Sequence, residues 1–444
     1  MLTRPRSLMA ACLCAVTLSA TLDTPASAQS SSAIHNVYKV QAETFTLAQV
    51  ATVRVDSTAR GALSAEMGRS GAIWRWVITP AAQRLIVRVR ATACDGPPVA
   101  RVIIDGAIVA EFAVDRADWV EVPFDVEVGA GVHTVGVALT NGSRPDAGCR
   151  RVLDVDQIVL RATTPTNSAT PGSTCEATDN GARAGNPPRD RFVNFLPGAP
   201  GYHELAGPTG AHAGQPPLGV VLIVHGGAWR TVGAAATAAE RPTADAWRAR
   251  GWLTLSISSR GCSNWVDDAL WFHDAIRSLV PDLPLCMAGS SSGGHVALIV
   301  AAERPSVGCV VAEASPTDLP ALAEASAYDH ATGGLQSTGP FFVHHAAVAA
   351  FGLTAATTSM NPIARVDDVQ ADVILVAAVH DPLIPIEQAS SLAAALDVAH
   401  PEASHQTVEL GDGALPFVHS AVDAIDLALV ETTIDIVTGL LGRR

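Results

Sequence analysis

Basic residues are scarce in this chain. Its 444 residues carry 29 Lys and Arg against 43 Asp and Glu, a formal net charge of −14. That balance excludes nucleic acid or an anionic membrane surface as the expected partner, because both are bound through clustered positive charge. Also lacking is an apolar run that would cross a bilayer. The stretch from Leu8 to Leu22 falls short of the ~20 residues a helical span needs, and Asp423, Asp426, Glu431 and Asp435 interrupt the apolar pattern near the C-terminus. No Cys-x-x-Cys pair occurs, which removes the usual zinc pattern of that kind. What is plentiful is apolar side chain, at 48%. A chain of this length and composition affords a large core divided over two or three domains.

The first residues have the pattern of an export signal. Arg4 and Arg6 form a positive start, Leu8 to Leu22 an apolar middle, and Ala26-Ser27-Ala28 a small-residue cleavage site. Residues 1–28 are therefore expected to be a signal peptide, cut after Ala28, with the mature chain secreted to the periplasm or the extracellular space. A lipid anchor on Cys12 fits poorly, since that cysteine falls inside the apolar region. Removing the signal leaves Cys94, Cys149, Cys175, Cys262, Cys286 and Cys309. An even number in an exported chain suggests disulfides. Cys94 with Cys149 and Cys175 with Cys262 are the expected pairs. Cys286 and Cys309 either pair or are simply buried.

Residues 33–162 alternate in the β manner. Ile86–Arg90, Ala100–Ile104 and Val132–Leu139 are strand patterns, and Asp105-Gly106 and Asn141-Gly142 are turn dipeptides. Short strands with no long helical stretch predict an all-β sandwich. Gln41-Ala42-Glu43, Gly96-Pro97-Pro98, Val102-Ile103-Ile104-Asp105-Gly106, Gly129-Ala130-Gly131-Val132-His133 and Leu153 to Leu160 carry a resemblance to secreted jelly-roll carbohydrate-binding modules of the xylan-binding group. The resemblance implies sugar binding through a calcium ion. In that group the calcium loop has an Asn-Asp pair and a further aspartate just before Arg-Asn-Leu. This chain has Asn141-Gly142 and Arg150-Arg151-Val152-Leu153 instead. Two acidic ligands are thus replaced, with Asp146, Asp154 and Asp156 as the remaining candidates, and no metal is expected. A purely structural β-domain is the alternative.

Residues 163–190 are rich in Ser, Thr, Pro and Gly without apolar periodicity, which predicts a linker. From residue 191 to 444 strands alternate with helices. Leu218–Val224, Trp252–Ile257, Val307–Ala312, Val373–Val379 and His405–Leu410 are strand patterns, while 235–250, 267–279 and 420–441 are helical. The alternation predicts a doubly wound, mostly parallel α/β sheet.

Three motifs in this half bear on chemistry. Gly289-Ser290-Ser291-Ser292-Gly293 lies between a strand pattern and the helical run Val296–Ala302. Strand, tight turn and helix are what a nucleophile elbow requires, with Ser291 as nucleophile. His225-Gly226-Gly227-Ala228-Trp229 follows a strand directly. Its small residues let main-chain N–H groups approach a developing oxyanion, so Gly227, Ala228 and Ser292 are the candidate donors. His225, before the glycines, suits an orienting role. Asp381 follows the strand 373–379 and His419 precedes the last helix, giving the order Ser, Asp, His. Rivals are Asp412 and Asp318 for the acid, and His330, His344, His345, His400 and His405 for the base.

With these motifs in place, residues 191–444 resemble α/β-hydrolases of the carboxylesterase and acetylesterase sort. Ser258-Ser259-Arg260 stands where such enzymes often have Tyr-Arg. The resemblance implies acyl transfer by Ser291, His419 and Asp381 with no cofactor, on a polysaccharide ester or a small ester. Acetyl xylan and feruloyl decorations are the candidate substrates. A lipase, polyester hydrolase or serine peptidase shares the fold, and an inactive binding protein is the reading from outside enzymology. The segment 319–360 is expected to be irregular and to cap the site.

Overall fold

The computed structural model describes residues 32–42, 46–47, 51–60, 62–79, 81–143, 148, 150–165, 178–179, 191–193, 196, 198–322, 339–379, 381, 383–410 and 427–441. The expected signal segment 1–28 and most of the expected linker lie outside them.

In the N-terminal part, alternation of inward and outward side chains builds two antiparallel sheets. One runs in the order Ala51–Val55, Leu63–Met67, Val152–Pro165, Ala82–Thr92, Val120–Val128, with Ser32–Gln41 also paired to Val152–Pro165. The other runs Thr46–Leu47, Gly71–Thr79, Gly131–Leu139, Val99–Ile104, Ala107–Ala113. Leu85, Val87 and Val89 from the first sheet share one core with Ala100, Val102, Val135 and Val137 from the second. The expected strands are all present. Asp105 and Gly106 both take positive φ (50° and 80°), the geometry that joins two right-twisting strands through two residues.

Two expectations need correction. Asn141-Gly142 is no hairpin turn. The strand before it, Gly131–Leu139, lies in one sheet and the strand after it, Val152–Pro165, in the other. The pair opens a crossing loop, in which the Asn141 side chain binds main chain instead of shaping a turn. The last strand also runs past residue 162 to Pro165, because Ser32, Ala33 and Ile34 pair with Pro165, Thr164 and Thr163.

The C-terminal part is one eight-stranded sheet. Its strands are β1 (Arg191–Val193), β2 (His203–Ala206), β3 (Val220–Val224), β4 (Leu253–Ile257), β5 (Leu285–Ser290), β6 (Cys309–Glu313), β7 (Asp372–Ala378) and β8 (His405–Leu410). The order is β1-β2-β4-β3-β5-β6-β7-β8, with β1 and β2 antiparallel and the rest parallel. Every residue of β3 is buried, as expected of a strand covered on both faces. Val221 and Ile223 pack with Trp247 of helix α1 (Arg241–Ala249) and with Ile434 and Val437 of the C-terminal helix, Leu427–Leu441. Val220, Leu222 and Val224 pack on the opposite face, with Phe272 and Ile276 of α2 (Asn264–Leu279) and Val296 of α3 (Ser292–Glu303). The helix expected over 235–250 is two helices, Ala234–Ala239 and α1, and Pro242 sits in the first turn of the second. Proline cannot donate within a helix but is tolerated at its start, so the break falls there.

Cys286 and Cys309 pair. They are register partners on adjacent strands, 4.6 Å apart at Cα, and fully buried. Cys94 and Cys262 are each disulfide-bonded. Their expected partners, Cys149 and Cys175, lie outside the described residues.

Candidate active site

Three consecutive serines end β5 and begin α3, and the structure separates them. Ser290 is the last strand residue; it is buried, and its hydroxyl donates to Glu240 Oε1 at 3.2 Å. Ser292 is 2% exposed, with a buried Oγ. Ser291, between them, is half-buried and takes φ 51°, ψ −122°. A non-glycine residue there costs roughly 1–3 kcal/mol and persists only where its surroundings impose it. Here they do. The Ser291 N–H donates to the Glu313 carbonyl of β6 at 2.7 Å, and its own carbonyl accepts the His295 N–H of α3 at 3.1 Å.

The flanking glycines have one cause. A Cβ at Gly289 would meet the main chain of Gly293, and a Cβ at Gly293 would meet the carbonyls of Val224 and His225. The helix crosses the strand ends so closely that neither position holds a side chain. This presses the N-terminus of α3, with its unpaired N–H groups and partial positive charge, against the tip of β3.

The segment after β3 lies against Ser291: a Cβ at Gly226 would stand 3.3 Å from Ser291 Cβ. Gly227, Ala228 and Trp229 follow with φ of 122°, 52° and 59°. The peptides carrying the candidate donors are held from their carbonyl sides. His225 Nδ1 lies 2.6 Å from the Gly226 carbonyl, which can only accept, so that nitrogen carries the proton. Nε2 then accepts from Ser258 Oγ at 3.1 Å, and Ser258 Oγ accepts the Gly233 N–H at 2.7 Å. The Gly227 carbonyl accepts from Arg230 and Thr231 at 3.0 and 3.1 Å. In a trans peptide the N–H points opposite the C=O. The N–H groups of Gly227 and Ala228 are thus turned away from these anchors.

Burial pushes the His225 imidazole down to about 4, so it is neutral near pH 7. Its only lone-pair nitrogen is engaged by Ser258, which fits an orienting group and not a base. His295 is held the same way, about 4 by burial. It accepts from Trp229 Nε1 at 3.3 Å and donates to the Met360 carbonyl at 2.7 Å. Phe351 stacks on His295 and meets Trp229 edge-on. Phe351 ends a helix, Gly339–Phe351, so this part of the expected irregular segment is regular, and His344 and His345 lie on that helix. Its Val343, Ala346, Ala347 and Ala350 are buried, which favours a helix over a loop.

Asp381 follows β7. Its Oδ1 accepts the N–H groups of Leu383 and Ile384 at 2.7 and 3.0 Å, which fixes the carboxylate at the strand tip. His419 lies outside the described residues, as do Asp412 and His330. Of the rivals inside them, His405 is paired in register with Val373, at the start of β7 and the opposite sheet end from Asp381. His400 binds the Val366 carbonyl at 2.9 Å. Asp318 accepts the Ala321 N–H at 3.3 Å, at the start of a helical turn. The structure therefore sets Gly226, which precedes the candidate donors Gly227 and Ala228, against Ser291, and places Asp381 after β7, two strands along the sheet from β5.

Sequence reasoning noted Ser258 only as a departure from the Tyr-Arg pattern and missed Glu240. The role of each is recognisable only by the partner it reaches. Glu240 and Glu313 line a pocket of about 30 Å³ beside Ser290, together with Ile223, Trp247, Val311 and Ile434. It has room for water.

A sheet of this order, with a strained serine after its fifth strand and a glycine loop after its third, is an α/β-hydrolase fold. Residues 84–174 match the family described as Ca-dependent carbohydrate-binding module, xylan-binding. The chain thus resembles an α/β-hydrolase preceded by such a module. Among solved structures it is similar to a puromycin-hydrolyzing peptidase of Mycobacterium tuberculosis, at 18% identity over 57% of this chain and 39% of that one, with a TM-score of 0.43. An esterase of Pyrobaculum calidifontis is 16% identical over 56% of this chain and 85% of that one, at 0.42. A truncated carbohydrate esterase from gut microbiota is 18% identical over 54% and 90%, at 0.40. The chain spans about two fifths of the length of the peptidase. A search of curated proteins finds no match.

The described residues do not fit calcium. Among the described residues no group of three or more His, Cys, Asp or Glu side chains is placed to hold a metal. Asp154 and Asp56 are both paired with Arg90, at 2.9 and 2.6 Å, and buried Asp156 with Arg88. Asp146 lies outside the described residues. Nor is any described helix long and apolar enough to cross a membrane.

Proposed function

We propose that the chain is an exported serine esterase that removes acyl groups from a plant polysaccharide, with acetylated xylan the leading substrate. The division is a signal peptide over 1–28, a jelly-roll binding module from residue 33 whose closing strand ends at Pro165, a linker from there to 190 and a doubly wound hydrolase domain over 191–444. His419 takes the hydroxyl proton of Ser291 as general base, and Ser291 attacks the ester carbonyl. The N–H groups of Gly227, Ala228 and Ser292 receive the oxyanion. Asp381 orients His419 and stabilises its imidazolium form; the proton then passes to the leaving alcohol. Water repeats the sequence on the acyl-enzyme and frees the acid.

The observation that carries this reading is Ser291 itself: the one accessible member of three serines, held in a strained turn against a glycine loop. The match of residues 84–174 supports the polysaccharide part, since a tethered module raises the effective concentration of an insoluble substrate. The test is acetate release from acetylated xylan by the full chain, by Ser291→Ala and by His419→Ala. Release by the native chain alone supports the reading. Turnover of a soluble acetate ester without release from xylan would move the assignment to a general esterase or a peptidase of the same fold.

A further inference from the structure

The described residues of the loop that corresponds to the calcium loop of the matching family are engaged by this protein's own groups. The Asn141 side chain is spent on main chain: Oδ1 accepts the Val99 N–H at 2.7 Å and Nδ2 donates to the Pro97 carbonyl at 3.1 Å. Gly142, at the position of the family's aspartate, leaves no room for any side chain, because a Cβ there would run into the main chain of Arg69 and Ser70. Its N–H donates to Ser70 Oγ at 3.1 Å, and Ser70 Oγ donates to the Thr140 carbonyl at 2.9 Å. Ser143 is tied on both sides, its N–H to the Gly68 carbonyl at 3.3 Å and its Oγ accepting the Arg151 N–H. The second aspartate of the family pattern is Arg150, the opposite charge, 3.5 Å from Glu66 Oε1.

A cation is nevertheless present. The Arg151 guanidinium donates to the carbonyls of Cys94 and Asp95 through Nη2, at 2.6 and 2.7 Å. It donates to Asn141 through Nη1 at 2.6 Å and to Gly96 through Nε at 3.2 Å. Converging main-chain carbonyls are the hard oxygen ligands that calcium prefers. Here a planar, permanently charged fork satisfies them. We propose that this loop cluster is organised by Arg151 and takes no calcium, so that the module folds and binds without a divalent cation. The inference rests on reading residues 84–174 as a module of that family, and departs from it on the metal.

The test is calorimetric titration of calcium chloride into the full chain, with thermal unfolding followed in calcium and in EDTA. The expected result is no saturable heat and the same midpoint in both. Arg151→Ala should lower the module's midpoint by several degrees in both media. If that variant does not fold, the titration of the native chain decides alone. Saturable calcium heat, or a native midpoint that climbs with calcium concentration as binding to the folded state requires, overturns the proposal. Retention on insoluble xylan separates the two readings. Retention that persists in EDTA supports a cation-free module, and elution by EDTA overturns it. Absence of retention counts against the polysaccharide assignment and leaves the titration to judge the metal.

Discussion

Replacing Ser258 by alanine removes one hydroxyl that serves two neighbours. The Gly233 N–H and His225 Nε2, 2.7 and 3.1 Å from it, both lose their partner. Leaving a buried polar group unsatisfied costs about 1–3 kcal/mol, so two such groups cost roughly 2–6 kcal/mol. For a domain of this size that lowers the melting temperature on the order of 5–20 °C. The catalytic effect travels through His225. Without Ser258 the ring loses the contact that fixes its tautomer and tilt, and the Gly226 carbonyl loses a fixed donor. Deleting an oxyanion donor outright costs about 100- to 1000-fold in kcat. Loosening its peptide should cost about 10-fold, equivalent to ~1.4 kcal/mol. The loss should fall on kcat with KM nearly unchanged, because the oxyanion contact forms chiefly in the transition state. Hydrolysis of a chromogenic acetate ester at 25 °C, beside a melting curve, measures both. A lowered melting temperature with full kcat would refute the reasoning, since the peptide would then keep its orientation without the Ser258–His225 pair.

Among the three serines, Ser291→Ala should abolish ester hydrolysis while Ser290→Ala and Ser292→Ala retain most of it; loss of activity in Ser290→Ala at unchanged stability would contradict the assignment. Acid should destabilise the fold through His203, His225 and His295, each held by burial down to about 4. Their folded values lie below the ordinary one near 6.5. The unfolded chain therefore takes up protons that the folded chain refuses, and stability is full above about 6.5 and falls as pH drops toward about 4. Urea midpoints at pH 7 and 5 test this, and a flat profile would be the contrary result.

The elbow that holds Ser291 was legible because it is local. Its two glycines, read together with the strand pattern before them and the helical run after them, single out Ser291 as the candidate nucleophile. The run Val220–Val224 announces a strand buried on both faces, and the loop after it must lie at the sheet edge. The correct reading of Asp105-Gly106 has the same local origin, since two positive φ values join neighbouring strands. Asn141-Gly142 carries the same dipeptide signal and misleads. Its following strand belongs to the other sheet, and only the tertiary arrangement could say so.

The sequence by itself determined the alternation of strands and helices, the serine and its glycine frame, and the replacement of the family's acidic residues at 142 and 150. These follow from periodicity, steric demand at single positions and side-chain charge. Tertiary structure alone decided that Cys286 faces Cys309 across adjacent strands, that Ser258 steadies His225, and that Arg151 gathers the Asn141 carbonyl of its own loop with those of Cys94, Asp95 and Gly96 from another. Each of these joins residues far apart in the chain, and hydrogen bonds of that kind leave no periodic trace: they exist only once the sheets have set the distances.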